Sequence, residues 1–223
     1  MSIVNYKGQS LQDKFVLKVL KEKKTGYFIE IGAGNPIRNN NTYLLETTYN
    51  WKGIMIEYDQ SYLDSYISSR PNSIPIIGDA SALNYIELFE SNNIPVNIDY
   101  LQIDLDAASG ITIKTINLLD NEIFNKYKFA TITVEHDIFR TNMYNTRELS
   151  RDIFNKHGYV RVFCDVTNRK YASYEDWYVH PDLVDMKYIN KIIEINVNNY
   201  NPVTLISGTV INKINCEAII FDL

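Results

Sequence analysis

The chain is poor in cysteine, in positive charge and in long apolar runs. Its two cysteines, Cys164 and Cys216, lie far apart in no metal or redox motif, which leaves out a disulfide framework and a cysteine-built metal centre. No apolar stretch reaches the ~20 residues that a bilayer crossing needs, and Met1–Lys7 shows no signal-peptide core. A soluble, cytoplasmic protein with no membrane partner is therefore expected. Lysine and arginine number 22 against 27 acids, a net charge of −5. Proteins that coat nucleic acid carry a basic footprint, so no nucleic-acid partner is expected. Internal repeats and low-complexity linkers are also missing. What remains is 223 residues with 45% hydrophobic and 22% charged content, enough for one domain, 1–223, with a sizeable core.

Apolar strands alternate with amphipathic stretches. Leu11, Phe15 and Val19 recur every four residues after the capping-box pattern Ser10-Leu11-Gln12-Asp13, so residues 10–23 read as a helix within an N-terminal helical region, 1–25. Strands are predicted at 27–31, 53–57, 73–77, 98–103 and 129–134, with Pro75 suiting an edge strand. Helices are predicted at 42–49, 60–68, 82–90, 111–119 and 145–156, and a closing hairpin at 159–163 and 175–179. This alternation predicts an α/β fold: a mostly parallel seven-stranded sheet with helices on both faces, followed by a C-terminal extension, 182–223.

In such sheets ligands bind outside the carboxyl ends of the strands. Five predicted strands end in acids: Glu30, Glu57, Asp79, Asp104 and the pair Glu135-His136. The first ends in Glu30-Ile31-Gly32-Ala33-Gly34, an acid two residues before the first glycine. A carboxylate there would repel the pyrophosphate that G-x-G-x-x-G turns hold. It suits S-adenosylmethionine, which has no phosphate and carries positive charge. Glu57 is expected to accept both ribose hydroxyls. Asp79 is expected either to accept from the adenine amino group or to cap the helix at 82–90. Asp104 falls where the methionyl part and the reacting methyl would sit. His136 is expected to take a proton from an attacking hydroxyl, its ordinary pKa of ~6.5 lying near working pH. The expected cofactor set is thus Glu30, Gly32, Ala33, Gly34, Glu57, Tyr58, Asp79, Ala80 and Asp104, and the catalytic set Asp104, Glu135 and His136. Asp104, Asp106 and Glu135 are oxygen ligands by type, but strand-end acids occur without metal and no metal is predicted.

Several runs, taken in order, resemble the FkbM-family methyltransferases: Gly8-Gln9-Ser10-Leu11-Gln12-Asp13, Phe28-Ile29-Glu30-Ile31-Gly32-Ala33-Gly34, Asn41-Thr42-Tyr43-Leu44-Leu45-Glu46 and Trp51-Lys52-Gly53-Ile54-Met55-Ile56-Glu57. They continue with Leu101-Gln102-Ile103-Asp104-Leu105-Asp106, Ile132-Thr133-Val134-Glu135-His136-Asp137 and Asp176-Trp177-Tyr178-Val179-His180-Pro181. The resemblance implies a Rossmann-like class I methyltransferase fold, S-adenosylmethionine as cofactor, and O-methylation of a hydroxyl on a sugar or natural product. A sugar or glycan acceptor is the expected partner. Two departures stand out: Pro36 replaces a third glycine, and Asp106-Ala107-Ala108-Ser109-Gly110 replaces a tighter acid-glycine turn. The extension ends in a strand-like run, Cys216–Phe221, open to three uses: extending the sheet, covering the substrate, or forming a homodimer contact. The competing readings are an NAD-dependent oxidoreductase, a noncatalytic Rossmann-like binding module and a nucleic-acid 2′-O-methyltransferase. Glu30 and the missing glycine at position 37 weigh against the first, and the acidic balance weighs against the last.

Overall fold

The structure, a computed structural model, describes residues 4–140, 143–167 and 173–198. The strands are β1 (Tyr27–Ile31), β2 (Lys52–Glu57), β3 (Ile74–Ile77), β4 (Asn97–Ile103), β5 (Lys128–Glu135), β6 (Val160–Thr167) and β7 (Ser173–Val179). The helices are α1 (Gln12–Val19), α2 (Tyr43–Tyr49), α3 (Leu63–Ser69), α4 (Tyr85–Ser91), α5 (Ile111–Glu122), α6 (Thr146–Lys156) and α7 (Met186–Asn198). One seven-stranded sheet has the order β3-β2-β1-β4-β5-β7-β6. β1 to β5 pair in parallel, whereas β7 runs antiparallel to both β5 and β6. The sheet is therefore mixed, and "mostly parallel" describes only its first five strands. Pro75 lies on the edge strand β3, where its missing N–H costs no ladder bond.

Side chains alternate across the sheet. Phe28, Met55, Tyr100 and Trp177 pack under α1, α2, α3 and α7 in one core. Ile29, Ile31, Ile54, Ile56, Leu101, Ile103, Ile132 and Val134 pack under α4, α5 and α6 in the other. The order reverses between β1 and β4, which opens a crevice at their carboxyl ends.

Three local expectations need correction. Ser10 does not cap α1: the cap position is Leu11, in the left-handed region at φ 67°, and the Ser10 hydroxyl instead accepts from Tyr174 Oη at 2.6 Å. Asp79 does not cap the next helix, because α4 starts at Tyr85 and the Asn84 side chain accepts from Glu87 N. α7 was not expected, although Asp185 stands at its start and its Oδ1 accepts from Lys187 N and Tyr188 N. Ile189 and Ile192 bury it against the first core. The strand-like run at 216–221 lies outside the described residues.

Candidate functional site

A cleft of about 340 Å³ opens at the switch point. It is lined by Gly32 after β1, Ile56 and Glu57 of β2, Tyr58, Gly78, Asp79 and Ala80 after β3, Leu105 and Asp106 after β4, and Ile111 at the start of α5. Its size falls in the range of small-molecule sites, and Ile56, Ala80, Leu105 and Ile111 give it apolar walls. The lining contains three acids and no lysine, arginine or histidine.

Gly32 is fixed by geometry. Its φ is +81°, and a Cβ there would stand 1.8 Å from the main-chain oxygen of Asp104. β1 and β4 are joined at that point by Asp104 N donating to Ile31 O. Gly34, at φ +54°, has open space where a Cβ would go. The turn across Pro36 is held by Asn35, whose Oδ1 accepts from Ile37 N and Arg38 N.

Glu57 is held as an acceptor by the backbone. Oε2 accepts from Gly34 N at 2.8 Å, and Oε1 accepts from Tyr58 N and Asp59 N. A carboxylate has about four acceptor sites, so room remains for a ligand hydroxyl. Asp79 Oδ1 accepts from Ser81 N and Ser81 Oγ, and those bonds lower its pKa. No hydrogen bond within the protein occupies its other oxygen among the described residues. Tyr58 is 78% exposed at the cleft mouth.

Glu30 takes a different path. It shares the Phe28 side of β1, so its carboxylate enters the first core and not the cleft. Oε2 accepts from Thr42 Oγ1 at 2.7 Å and Asn40 Nδ2 at 3.2 Å, and Arg70 Nη1 stands 4.0 Å away. Burial raises its pKa against the pull of Arg70 and these donors. Arg70, also buried, forks onto Glu46 Oε2 and Thr42 Oγ1 and reaches Asn40 Oδ1 and Pro36 O. Asn40 Oδ1 accepts in turn from Thr42 N and Tyr43 N at the start of α2. Glu30 thus anchors the loop from below and does not face a ligand. Ala33 is likewise buried away from the cleft lining.

The ends of β4 and β5 carry crowded carboxyls. Asp104 keeps solvent contact, yet the protein packed around it raises its pKa, aided by the charges of Asp137 and Glu57 and opposed by a hydrogen bond from Glu135. Burial pushes Glu135 far above the carboxylate range, as do the charge of Asp104 and its hydrogen-bonding contacts with Asp104 and Asp137. Glu135 therefore keeps its proton at neutral pH, and its hydrogen bond to Asp104 works against the rise in the Asp104 pKa. Arg140 closes the group, 3.0 Å from Asp137 Oδ2 and 3.7 Å from Asp106 Oδ1.

His136 is not in that group. Its side chain is fully buried, and Nδ1 accepts from Ile138 N at 3.3 Å, which assigns the ring proton to Nε2. Nε2 faces Asp165 and Asp176, each at 3.6 Å. Those aspartates meet Arg147 and Arg151 of α6: Arg151 Nε and Nη2 donate to Asp176 at 2.6 and 2.9 Å, and Arg147 Nε stands 3.2 Å from Asp165 Oδ1. Although burial pulls the other way, His136 and Arg151 hold the Asp176 pKa well below the carboxylate range. His136, Asp165 and Asp176 bring ligand-type atoms within 4.8 Å of one another, but guanidinium groups already balance their charge. Neither ring nitrogen is turned to the cleft.

Of the residues expected at the site, Gly32, Glu57, Tyr58, Asp79 and Ala80 line the cleft. Gly34 and Asp104 border it through Glu57 and Gly32. Ile56, Gly78, Leu105, Asp106 and Ile111 were missed as lining residues. Most of them lie within two residues of an acid that was recognised.

A sheet whose order reverses between β1 and β4, with a glycine turn and acids at that point, is a Rossmann-like architecture. No family model and no curated protein matches the chain. Solved methyltransferase structures do match. The delta-N METTL16 MTase domain aligns with a TM-score of 0.50 at 10% identity, over 75% of this chain and 79% of that one. A TehB-like SAM-dependent methyltransferase from Corynebacterium glutamicum ATCC 13032 Kitasato aligns at 0.49 and 8% identity, over 76% and 87%. A methyltransferase from Pyrococcus furiosus gives 0.49 and 12%, over 76% and 82%. The likeness to the first shows the fold, that of class I methyltransferases, and at this identity it shows the fold alone.

Proposed function

We propose that this protein is an S-adenosylmethionine-dependent O-methyltransferase acting on a sugar hydroxyl, with Asp104 as the base. The observation that carries the reading is the charge of the cleft: acids line it and no cation does. A dinucleotide's phosphates would be repelled there, which disfavours the NAD-dependent reading. A nucleoside attached to a positive sulfur would be welcomed. The donor set fits this cofactor. Glu57 would accept from one ribose hydroxyl, the free oxygen of Asp79 would accept the adenine amino group, and Ile56, Ala80, Leu105 and Ile111 would enclose the ring.

Bound there, S-adenosylmethionine supplies a methyl group on a sulfonium, and transfer to the acceptor oxygen leaves S-adenosylhomocysteine. The chain's part is positioning and proton removal. Asp104 takes the proton of the acceptor hydroxyl. Glu135, protonated, orients the Asp104 carboxylate from behind, and Arg140 keeps the Asp137 charge paired. The finer placement among FkbM-like enzymes, and with it the sugar acceptor, rests on the order of the sequence motifs. Incubating the full chain with methyl-labelled donor and a panel of unmethylated glycosides tests the reading. A product heavier by one methylene is expected. Transfer only to nucleic acid, or to no hydroxyl compound while amines react, would overturn it.

A further inference from the structure

A second hollow, about 440 Å³ and open to solvent, lies on the other side of the glycine loop from the cleft. Asn5, Tyr6 and Lys7 of the N-terminal segment form one wall, and Asn35, Arg38 and Asn39 form the other. Its chemistry is the reverse of the cleft's: it has two cations and three side-chain amides and no acid in its lining. Among the described residues neither Lys7 nor Arg38 forms an ion pair.

Both walls are fixed in place. Lys7 N donates to Asp13 Oδ2 at 2.6 Å, and Asp13, raised by burial to about 6, is bound by backbone amides below the hollow. On the opposite wall the Asn35 side chain holds Arg38 N at 2.8 Å, and Pro36 O is tied to buried Arg70. Lys14 stands 5.4 Å from the centre of the Tyr6 ring, packed against that wall. Two cations carried on anchored backbone and flanked by amide side chains suit a group with several negatively charged oxygens.

We propose that this hollow is a phosphate-binding site, and that the acceptor carries the phosphate. This rests on the methyl-transfer reading. Gly32 lines the cleft and Asn35 lines the hollow, so one short loop separates the two, and Gly34 between them leaves open space beside its Cα. An acceptor with its phosphate on Lys7 and Arg38 would extend over that loop toward the β4 end. The hollow is larger than a phosphate ion, which leaves room for the group that bears it. The class of substrate is then a phosphorylated or nucleotide-linked sugar in place of a neutral one.

The test is a calorimetric titration of the full chain with inorganic phosphate and with pyrophosphate, with and without saturating S-adenosylhomocysteine. Wild type is compared with Lys7→Gln/Arg38→Gln, and circular dichroism checks the fold. We expect phosphate to bind the loaded protein, and the double variant to weaken it at least tenfold while S-adenosylhomocysteine affinity stays within twofold. Equal phosphate affinity in both proteins would overturn the proposal. So would a loss of S-adenosylhomocysteine affinity in the variant, since the two cations would then hold the donor's own carboxylate. Failure of wild type to bind S-adenosylhomocysteine would instead strike the methyl-transfer reading, and the phosphate titration without it would still report on the hollow.

Discussion

The two halves of the sheet treat their acids in opposite ways. At the ends of β2 and β3, Glu57 and Asp79 stand apart and accept from backbone amides and a serine, and for Asp79 the serine bonds lower the pKa. At the ends of β4 and β5, Asp104, Glu135 and Asp137 face one another, and burial with the neighbouring charges raises the pKa of Asp104 and of Glu135. The first arrangement makes fixed acceptors, which suit holding a ligand. The second makes a carboxylate with raised proton affinity, which suits removing a proton. The division falls at the switch point, where Gly32 passes against the Asp104 main chain.

The largest effect should come from the seam between the halves. Gly32→Ala places a Cβ against the Asp104 carbonyl and asks alanine to hold φ +81°. It should abolish S-adenosylhomocysteine binding in calorimetry and lower Tm, because the main chain must move. Gly34→Ala, with open space around its Cβ, should cost only about 1–2 kcal/mol for the left-handed backbone. Similar losses in both variants would show that backbone conformation, and not the contact with β4, sets the requirement.

Next is the proton-removing half. Asp104→Asn should reduce kcat by ~10²–10⁴-fold, the usual contribution of a positioned base, with a smaller change in donor affinity. His136→Gln should leave kcat of the folded enzyme near wild type and act on stability, since the ring faces Asp165 and Asp176. A kcat loss in His136→Gln as large as that of Asp104→Asn would return the base to the histidine.

A smaller effect should appear in stability against pH. Burial, aided by the charge of Asp104, raises Glu175 to about 8, against a hydrogen bond from Gln12 Nε2 at 2.9 Å. Its folded pKa exceeds the ordinary 4.5, so its contribution to stability is full below 4.5 and is lost as pH rises through about 8. Glu175→Gln keeps an acceptor for Gln12 and removes the titration. Chemical denaturation should show the variant losing less stability than wild type between roughly pH 5 and 8, by at most about 1.4 kcal/mol per pH unit. Parallel curves would mean that Glu175 is charged throughout.

The strands were legible because their apolar runs and punctuation are strong, and the acids of the first half because each follows a strand directly. Glu57 and Asp79 act from their own turn, so position alone places them. Glu30 and His136 also sit at strand ends, but what they do depends on which face they take and who meets them there. The alternation Phe28-Ile29-Glu30-Ile31 already assigns Glu30 to the Phe28 face, a signal present in the chain and not used. For His136 the partners are Asp165 and Asp176, tens of residues away, with α6 arginines between them, and no local pattern announces that meeting. The antiparallel β7 was legible as half of a hairpin, but its insertion between β5 and β6 is a matter of topology that periodicity does not carry.

The central claim is that the acidic cleft binds the methyl donor through Glu57. Calorimetric titration of S-adenosylhomocysteine into wild type and Glu57→Ala, with NADH as the comparison ligand, addresses it directly. The account predicts binding to wild type, a loss of ~1–3 kcal/mol in the variant, the size of a hydrogen bond to a charged group, and no binding of NADH. Tight NADH binding with no response to S-adenosylhomocysteine, or equal S-adenosylhomocysteine affinity in both proteins, would contradict it.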